Sequence, residues 1–166
     1  MIRVTNVNKV KMKLSHGVHI TMPCEGQLWS YIEFIDRVIV VVNVYDIRNC
    51  NQYRNIFCYS KQDGHLIWQI EQPYGRDHQP LEAVYKYIAL HIKGDDGHWL
   101  SIEENGSLEV DHKLENGSEI GGQVYLKPFR YGTDKLSTMT LAEYPSEYWV
   151  DYETGKVEWF AIHQKV

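Results

Sequence analysis

The chain of 166 residues has no apolar run longer than Val38-Ile39-Val40-Val41-Val42, far short of the roughly 20 residues a helix needs to cross a bilayer. Its first residues, MIRVTNVNKVKMKL, alternate charged and apolar side chains and fit neither a secretory signal nor a membrane segment. The expectation is a cytoplasmic protein with no membrane partner. Prolines number only five and no tract is compositionally biased, which argues against a linker or a disordered region. The three cysteines, Cys24, Cys50 and Cys58, cannot all pair and lack C-x-x-C spacing, so they read as reduced, packed thiols. Catalytic signatures are scarce too: there is no G-x-S-x-G elbow, phosphate-cradling glycine loop, S-x-x-K run or H-E-x-x-H pair. The reading therefore points away from an enzyme and calls for no cofactor.

What is present favours strands. Aromatics make up 13% of the chain, chiefly 12 Tyr and 5 Trp, and these with the many Val and Ile suit a pleated, half-buried surface. Asp63-Gly64, Asn105-Gly106 and Thr154-Gly155 each have an aromatic seven residues before the glycine and apolar residues two and four after it. A glycine at the second position of a two-residue loop supplies the positive φ that a tight hairpin requires. Asn116-Gly117 predicts a fourth turn, between 107–114 and a strand near 123–127. Residues 29–35 and 37–45 should pair across Asp36-Arg37 or bend there, with the Val38–Val44 run as a central strand buried on both faces. Pro80–Leu90 could open a helix on its proline, but Val84, Tyr85, Tyr87 and Ile88 favour a strand over 84–92. Gly121-Gly122 reads as a bulge or bend.

The glycine spacing approaches that of propeller blades, but the chain is too short for four of them. The predicted fold is mainly β, with antiparallel hairpins forming one twisted sheet or a small two-layer sandwich and little helix. A single domain over 1–166 is expected, with an acidic insertion at about 93–137 and a core holding Val40, Val42, Leu66, Trp68, Ile70, Leu108, Val110, Val157 and Trp159.

The net charge of −5 is uneven. Residues 94–119 carry eight carboxylates against Lys113 alone, a net of −7, while the rest carries 14 acidic and 16 basic side chains, a net of +2. Such a segment repels nucleic acid and attracts a basic partner. The aromatic and basic stretch Lys127-Pro128-Phe129-Arg130-Tyr131 and the row Lys9, Lys11 and Lys13 are the features that could grip a single strand. The overall acidity opposes them, and packing against the sheet accounts for Phe129 and Tyr131. Candidate metal donors are His16 with His19, Asp95-Asp96-Gly97-His98, and Asp111-His112, although Asp95-Asp96-Gly97 reads first as a turn.

The stretch RVIVVVNVYDIRNCNQYRNIFCYSKQDGHLIWQIEQP places an Asn-led hydrophobic strand before G-x-x-x-W-Q-I. Near the end, Asp151-Tyr152-Glu153-Thr154-Gly155-Lys156-Val157 reads D-x-x-T-G-x-V, with Lys165 following. Together, over about 30–75 and 138–166, these resemble small, mostly uncharacterised bacterial proteins built of β-hairpins, some of them similar to toxin-immunity proteins. Residues 93–137 depart from that pattern. The hairpin also resembles single strands of quinoprotein-type propellers, a likeness of fold that implies no cofactor. The resemblance implies a cytoplasmic protein-binding module, an immunity-like inhibitor of a bacterial toxin. Its acidic segment would mask a basic toxin domain through Asp95, Asp96, Glu103, Glu104, Glu109 and Asp111, with Trp99 as an aromatic anchor. The alternative is a small-ligand- or metal-binding hydrolytic β domain using His and Asp residues around His98 and His112.

Overall fold

The computed structural model describes residues 3–6, 9–14, 17–102, 109–113 and 119–163; at 3–6, 9, 109–113 and 119 it is the backbone that is described. Strands dominate, with almost no helix among the described residues. They form two sheets. The first runs β1 (Arg3–Asn6), β2 (Lys9–Lys13), β3 (His19–Glu33), β4 (Arg37–Val44), β5 (Ile56–Ser60) and β6 (Leu66–Gln69) in order, all antiparallel. The second has the order β13-β12-β11-β7-β8, from β7 (Tyr85–Lys93), β8 (Trp99–Ser101), β11 (Lys135–Thr140), β12 (Ser146–Val150) and β13 (Val157–Ile162). Two strands from between these elements join the first sheet: β10 (Glu119–Val124) lies parallel to the end of β3, and β9 (Glu109–Lys113) pairs with β10.

The expected hairpins at Asp36-Arg37, Asp63-Gly64 and Thr154-Gly155 form, as does the strand over 84–92. Asn116-Gly117 lies outside the described residues; β9 and β10 pair on either side of it, but β10 runs over 119–124 rather than near 123–127. The expected pairing of Trp99–Ile102 with a strand near 108–110 does not form. Trp99–Ser101 turns back through Gly94–Gly97 onto β7 in the second sheet, while β9 belongs to the first. Asn105-Gly106 itself lies outside the described residues. The Asp95-Asp96-Gly97 turn closes the β7–β8 hairpin, with Gly97 at φ +85°.

β4 explains the layering. Val38, Val40, Val42 and Val44 face one buried cluster with Met12, Ile20, Met22, Leu28, Phe57 and Tyr59. Ile39 and Val41 face a second, with Trp68, Ile70, Tyr85, Leu90, Leu136 and Tyr148, which fills the space between the sheets. A strand wedged between two cores has no solvent face, and so no polar period appears in its sequence. The first cluster exists because the eight-stranded sheet curls over its own face. The β5–β6 turn meets the start of β3 so closely that a Cβ on Gly64 would lie 2.8 Å from the His19 carbonyl oxygen. Within β3, a bulge between Leu28 and Ser30 makes Trp29 the extra residue. Even-numbered residues face the first cluster before it and Tyr31 after it, as a one-residue slip in a period of two demands.

Leu66 is corrected by the same effect. It is 45% exposed rather than core, because the register shifts between Cys58 and Tyr59 and leaves Ile67 as the extra residue opposite them. Trp68, Ile70, Val40, Val42 and Val157 are buried as expected, and Trp159 packs half-buried against the inter-sheet cluster. Leu108 lies outside the described residues, and Val110 falls where only the backbone path is described.

Side chains lock the two sheets together. The fully buried Asn55 donates to the carbonyls of Val42 (3.2 Å) and Tyr85 (2.9 Å) and accepts from the Tyr85 amide (2.8 Å), bridging β4 and β7. The start of edge strand β13 is capped by the β6–β7 connection: Val157 N donates to Glu71 and Trp159 N to the Tyr74 hydroxyl. Such capping satisfies amides that would otherwise template another strand. Gly122 stands where the Tyr31 ring crosses β10, a Cβ there falling 2.2 Å from a ring carbon, so the predicted bend is a close aromatic approach within a paired strand.

The cysteines differ from expectation. Cys24 on β3 and Cys50 on the β4–β5 connection are disulfide-bonded, with Cα atoms 6.3 Å apart, and only Cys58 is a free, buried thiol. An odd count left one pair possible, and the fold brings these two within bonding range.

Candidate functional site

Turns from both sheets meet at one end of the molecule. The β3–β4 turn touches the β5–β6 turn through the Lys61 amide, which donates to the Asp36 carbonyl (3.0 Å). It reaches the β12–β13 turn through the Tyr152 hydroxyl, which donates to Asp36 Oδ1 (2.7 Å). The segment before β11 joins them where the Tyr131 hydroxyl donates to Glu153, and it reaches the β7–β8 hairpin where Arg130 Nη2 donates to the Lys93 carbonyl (3.0 Å).

Arg37 sits at the centre. It opens β4 and is 7% exposed, so its charge must be satisfied from within the protein. Nη1 donates to the Tyr152 carbonyl (2.9 Å), while Nε (3.2 Å) and Nη2 (3.0 Å) donate to Asp36 Oδ2. The guanidinium carbon lies 3.9 Å from the Tyr152 ring centroid, and Phe129 stacks on Tyr152 with centroids 4.0 Å apart and planes 4° from parallel. Desolvation works against the Asp36 carboxylate, but hydrogen bonds from Arg37 and Tyr152 outweigh it and hold its pKa below the usual aspartate value. Burial, with the hydrogen bond to Asp36, raises the Tyr152 phenol. Tyr131 is pushed up to about 12, chiefly by its bond to Glu153. Beneath Arg37, burial lifts the Cys58 thiol to about 12, partly offset by the Arg37 charge, so it stays protonated at neutral pH. Lys61 and Glu33 form a second enclosed ion pair at 2.7 Å.

Two concavities flank this cluster. One of about 660 Å3 is lined by Ile35, Asp36, Arg37, Ser60, Lys61, Gln62 and Ile67. The other, about 400 Å3, is a groove beside the β12–β13 turn, walled by Phe129, Tyr131, Trp149 and Tyr152.

The residues expected to bind a partner are divided. Asp95 and Asp96 are exposed at the β7–β8 turn, where Asp96 accepts the His98 amide (3.0 Å). That bond and the contact with the His98 ring lower the Asp96 pKa. Trp99 opens edge strand β8 and is 52% exposed, with Leu100 beside it 42% exposed. Glu103 and Glu104 lie outside the described residues. Glu109 and Asp111 are on β9, in the other sheet from Asp95, Asp96 and Trp99, so the acidic segment is not one continuous hairpin.

The alternative constellation is likewise split, with His98 at the β7–β8 turn and His112 on β9. No group of three or more His, Cys, Asp and Glu able to hold a metal occurs among the described residues. In the 127–131 stretch, Phe129 is stacked on Tyr152 and Arg130 is bound to Asp134 at 2.9 Å. The Asp36, Arg37 and Tyr152 cluster was not among the expected site residues. Its one signal is a charge pair placed directly before a run of five apolar residues. Comparison with known proteins finds no family model, no curated protein and no solved structure that matches this chain.

Proposed function

We propose that this chain is a non-enzymatic protein-binding module, an immunity-like inhibitor of a bacterial toxin, that docks a basic partner through the end of the molecule where the turns meet. One observation carries the reading: the exposed Asp95 and Asp96 turn heads an edge strand whose Trp99 and Leu100 both face solvent. An aromatic flanked by carboxylates supplies contact area and electrostatic steering together, and β8, last in its sheet among the described residues, could accept a strand from a partner. The resemblance of the 30–75 and 138–166 segments to hairpin proteins of the immunity type supports the same class.

The cytoplasmic location expected from the sequence gives way in this reading to an oxidising compartment, where a disulfide such as Cys24–Cys50 persists.

The test is capture from host lysate and from secreted or periplasmic fractions with wild-type protein, the D95K/D96K variant and the W99A variant. The captured protein is identified and its toxicity measured with and without this chain. A basic protein retained by wild type, released by both variants and neutralised by the wild type is the expected result. Equal retention by all three, or capture without neutralisation, refutes it.

A further inference from the structure

The groove beside the β12–β13 turn has a chemistry that the acidic turn lacks. Its lining carries four carboxylates, Asp134, Asp151, Glu153 and Glu158, against Lys135 alone. Asp134 is enclosed and neutralised by Arg130, whereas Asp151, Glu153 and Glu158 are exposed around aromatic walls. A concave site with like charges at its rim focuses potential and draws in a cation.

The aromatic walls already hold cations that belong to the chain. The Arg37 guanidinium lies against the Tyr152 ring, and Lys135 Nζ stands 5.1 Å from the Trp149 ring centroid. Attraction of a cation to the face of an aromatic ring is thus a recurring contact around this groove. Lys135 is exposed, whereas Arg37 is buried and donates to the Tyr152 carbonyl and to Asp36.

Phe129 and Arg37 cover the Tyr152 ring and Phe160 stacks on Trp149, so the face open to exchange is the one over which Lys135 lies. We propose that this groove receives an arginine side chain of the partner protein, stacked on that face of Trp149 in place of Lys135, with its donors directed to the rim carboxylates. Arginine is favoured over lysine because its planar guanidinium stacks on rings and presents several donors at once, whereas an ammonium is a compact, strongly hydrated point charge. The volume of about 400 Å3 lies at the lower end of the range for ligand sites and suits one long side chain rather than a folded segment. The inference rests on the reading of this chain as a binder of a basic protein, and it is tested without that protein.

The probe is N-acetyl-arginine N-methylamide, titrated in the millimolar range into intact protein while the Trp149 indole N–H is followed by NMR. The lysine and citrulline counterparts serve as controls. A saturable shift with the arginine compound is expected, about fivefold weaker with citrulline, which keeps the shape and loses the charge. The E153Q/E158Q variant should lose most of the shift while keeping its amide spectrum. No saturable shift, equal binding of citrulline, or a preference for the lysine compound overturns the assignment. If the arginine compound fails while D95K/D96K still releases a captured toxin, the groove is refuted and the binding function stands. Should it bind while no partner is ever retained, the function is refuted and arginine recognition by the groove stands.

Discussion

Reduction of the Cys24–Cys50 bond is the perturbation whose size follows most directly from the fold. Cys24 lies in the middle of β3, with its side chain in the first core cluster, and Cys50 lies in the irregular segment that carries the chain from β4 to β5. The two are 26 residues apart, and in the chain-entropy model closing a loop of that length removes about 3.5 kcal/mol of unfolded-state entropy at 25 °C. Besides the cross-link, the middle of the 45–55 segment is held to the rest of the protein by Asn51, whose Nδ2 donates to Gln72 (3.0 Å). Tyr45 and Asp46 donate to the Glu25 carbonyl at its start and Arg54 donates to the Ile70 carbonyl at its end, while Asn49 and Cys50 bond only to Asp46 within the segment.

Urea denaturation with and without a phosphine reductant measures the effect. With typical urea slopes, a loss of about 3.5 kcal/mol moves the midpoint down by about 1–3 M. Thiol titration of unfolded protein supplies the control, with one reactive thiol, Cys58, expected before reduction and three after. Two results would refute the reasoning. Three thiols in protein purified without reductant would mean that the bond does not form. An unchanged midpoint after complete reduction would mean that the native contacts of the 45–55 segment, not the cross-link, set its share of stability.

Gly155→Ala and Gly97→Ala separate two costs of replacing a turn glycine. Both positions have positive φ, +71° and +85°, but a Cβ at 155 falls 2.5 Å from the Trp68 ring whereas nothing lies within 4 Å of one at 97. Gly97→Ala should cost about 1 kcal/mol of backbone strain and Gly155→Ala about 2–4 kcal/mol once overpacking is added, read as a larger fall in melting temperature for the latter. Equal falls would show that Trp68 gives way freely. For Asp36, the lowered folded-state pKa means that its contribution is complete above the ordinary aspartate value near 4 and is lost as pH falls through the folded value. Asp36→Asn should therefore flatten the acid limb of stability against pH and cost about 1 kcal/mol at neutral pH, a modest figure because the carboxylate is half exposed. An acid limb unchanged by the substitution would place the acid sensitivity elsewhere.

The parts of the fold that could be read from the sequence are those set by neighbouring residues. An Asp-Gly or Thr-Gly pair between alternating strands reports its own turn, and the Val38–Val44 run reports burial on both faces, because each depends on a few consecutive side chains. Division between sheets is a different kind of property. Nothing within Trp99–Ser101 or Glu109–Lys113 names a sheet; the first pairs with β7 in one sheet and the second with β10 in the other, through partners distant from either stretch's own residues. The bulges that expose Leu66 and rephase β3 arise in the same way, from registers that two strands agree on together.

The site was hidden for the same physical reason. A charged residue at the head of a hydrophobic strand reads as a solvated turn end, since an unpaired buried guanidinium would be prohibitively costly. Arg37 is buried because Tyr152, 115 residues further along, brings it a carbonyl acceptor and a ring face, and then orders Asp36 from the other side with its hydroxyl. None of those groups advertises the others. The D-x-x-T-G-x-V motif that contains Tyr152 was legible as a hairpin, and its glycine is needed so that the turn can lie flat on Trp68, whose indole donates to the same Tyr152 carbonyl (2.9 Å). The turn chemistry that makes the hairpin recognisable thus also fixes the carbonyl that receives Arg37. Replacing Gly155 should therefore disturb the site as well as the fold.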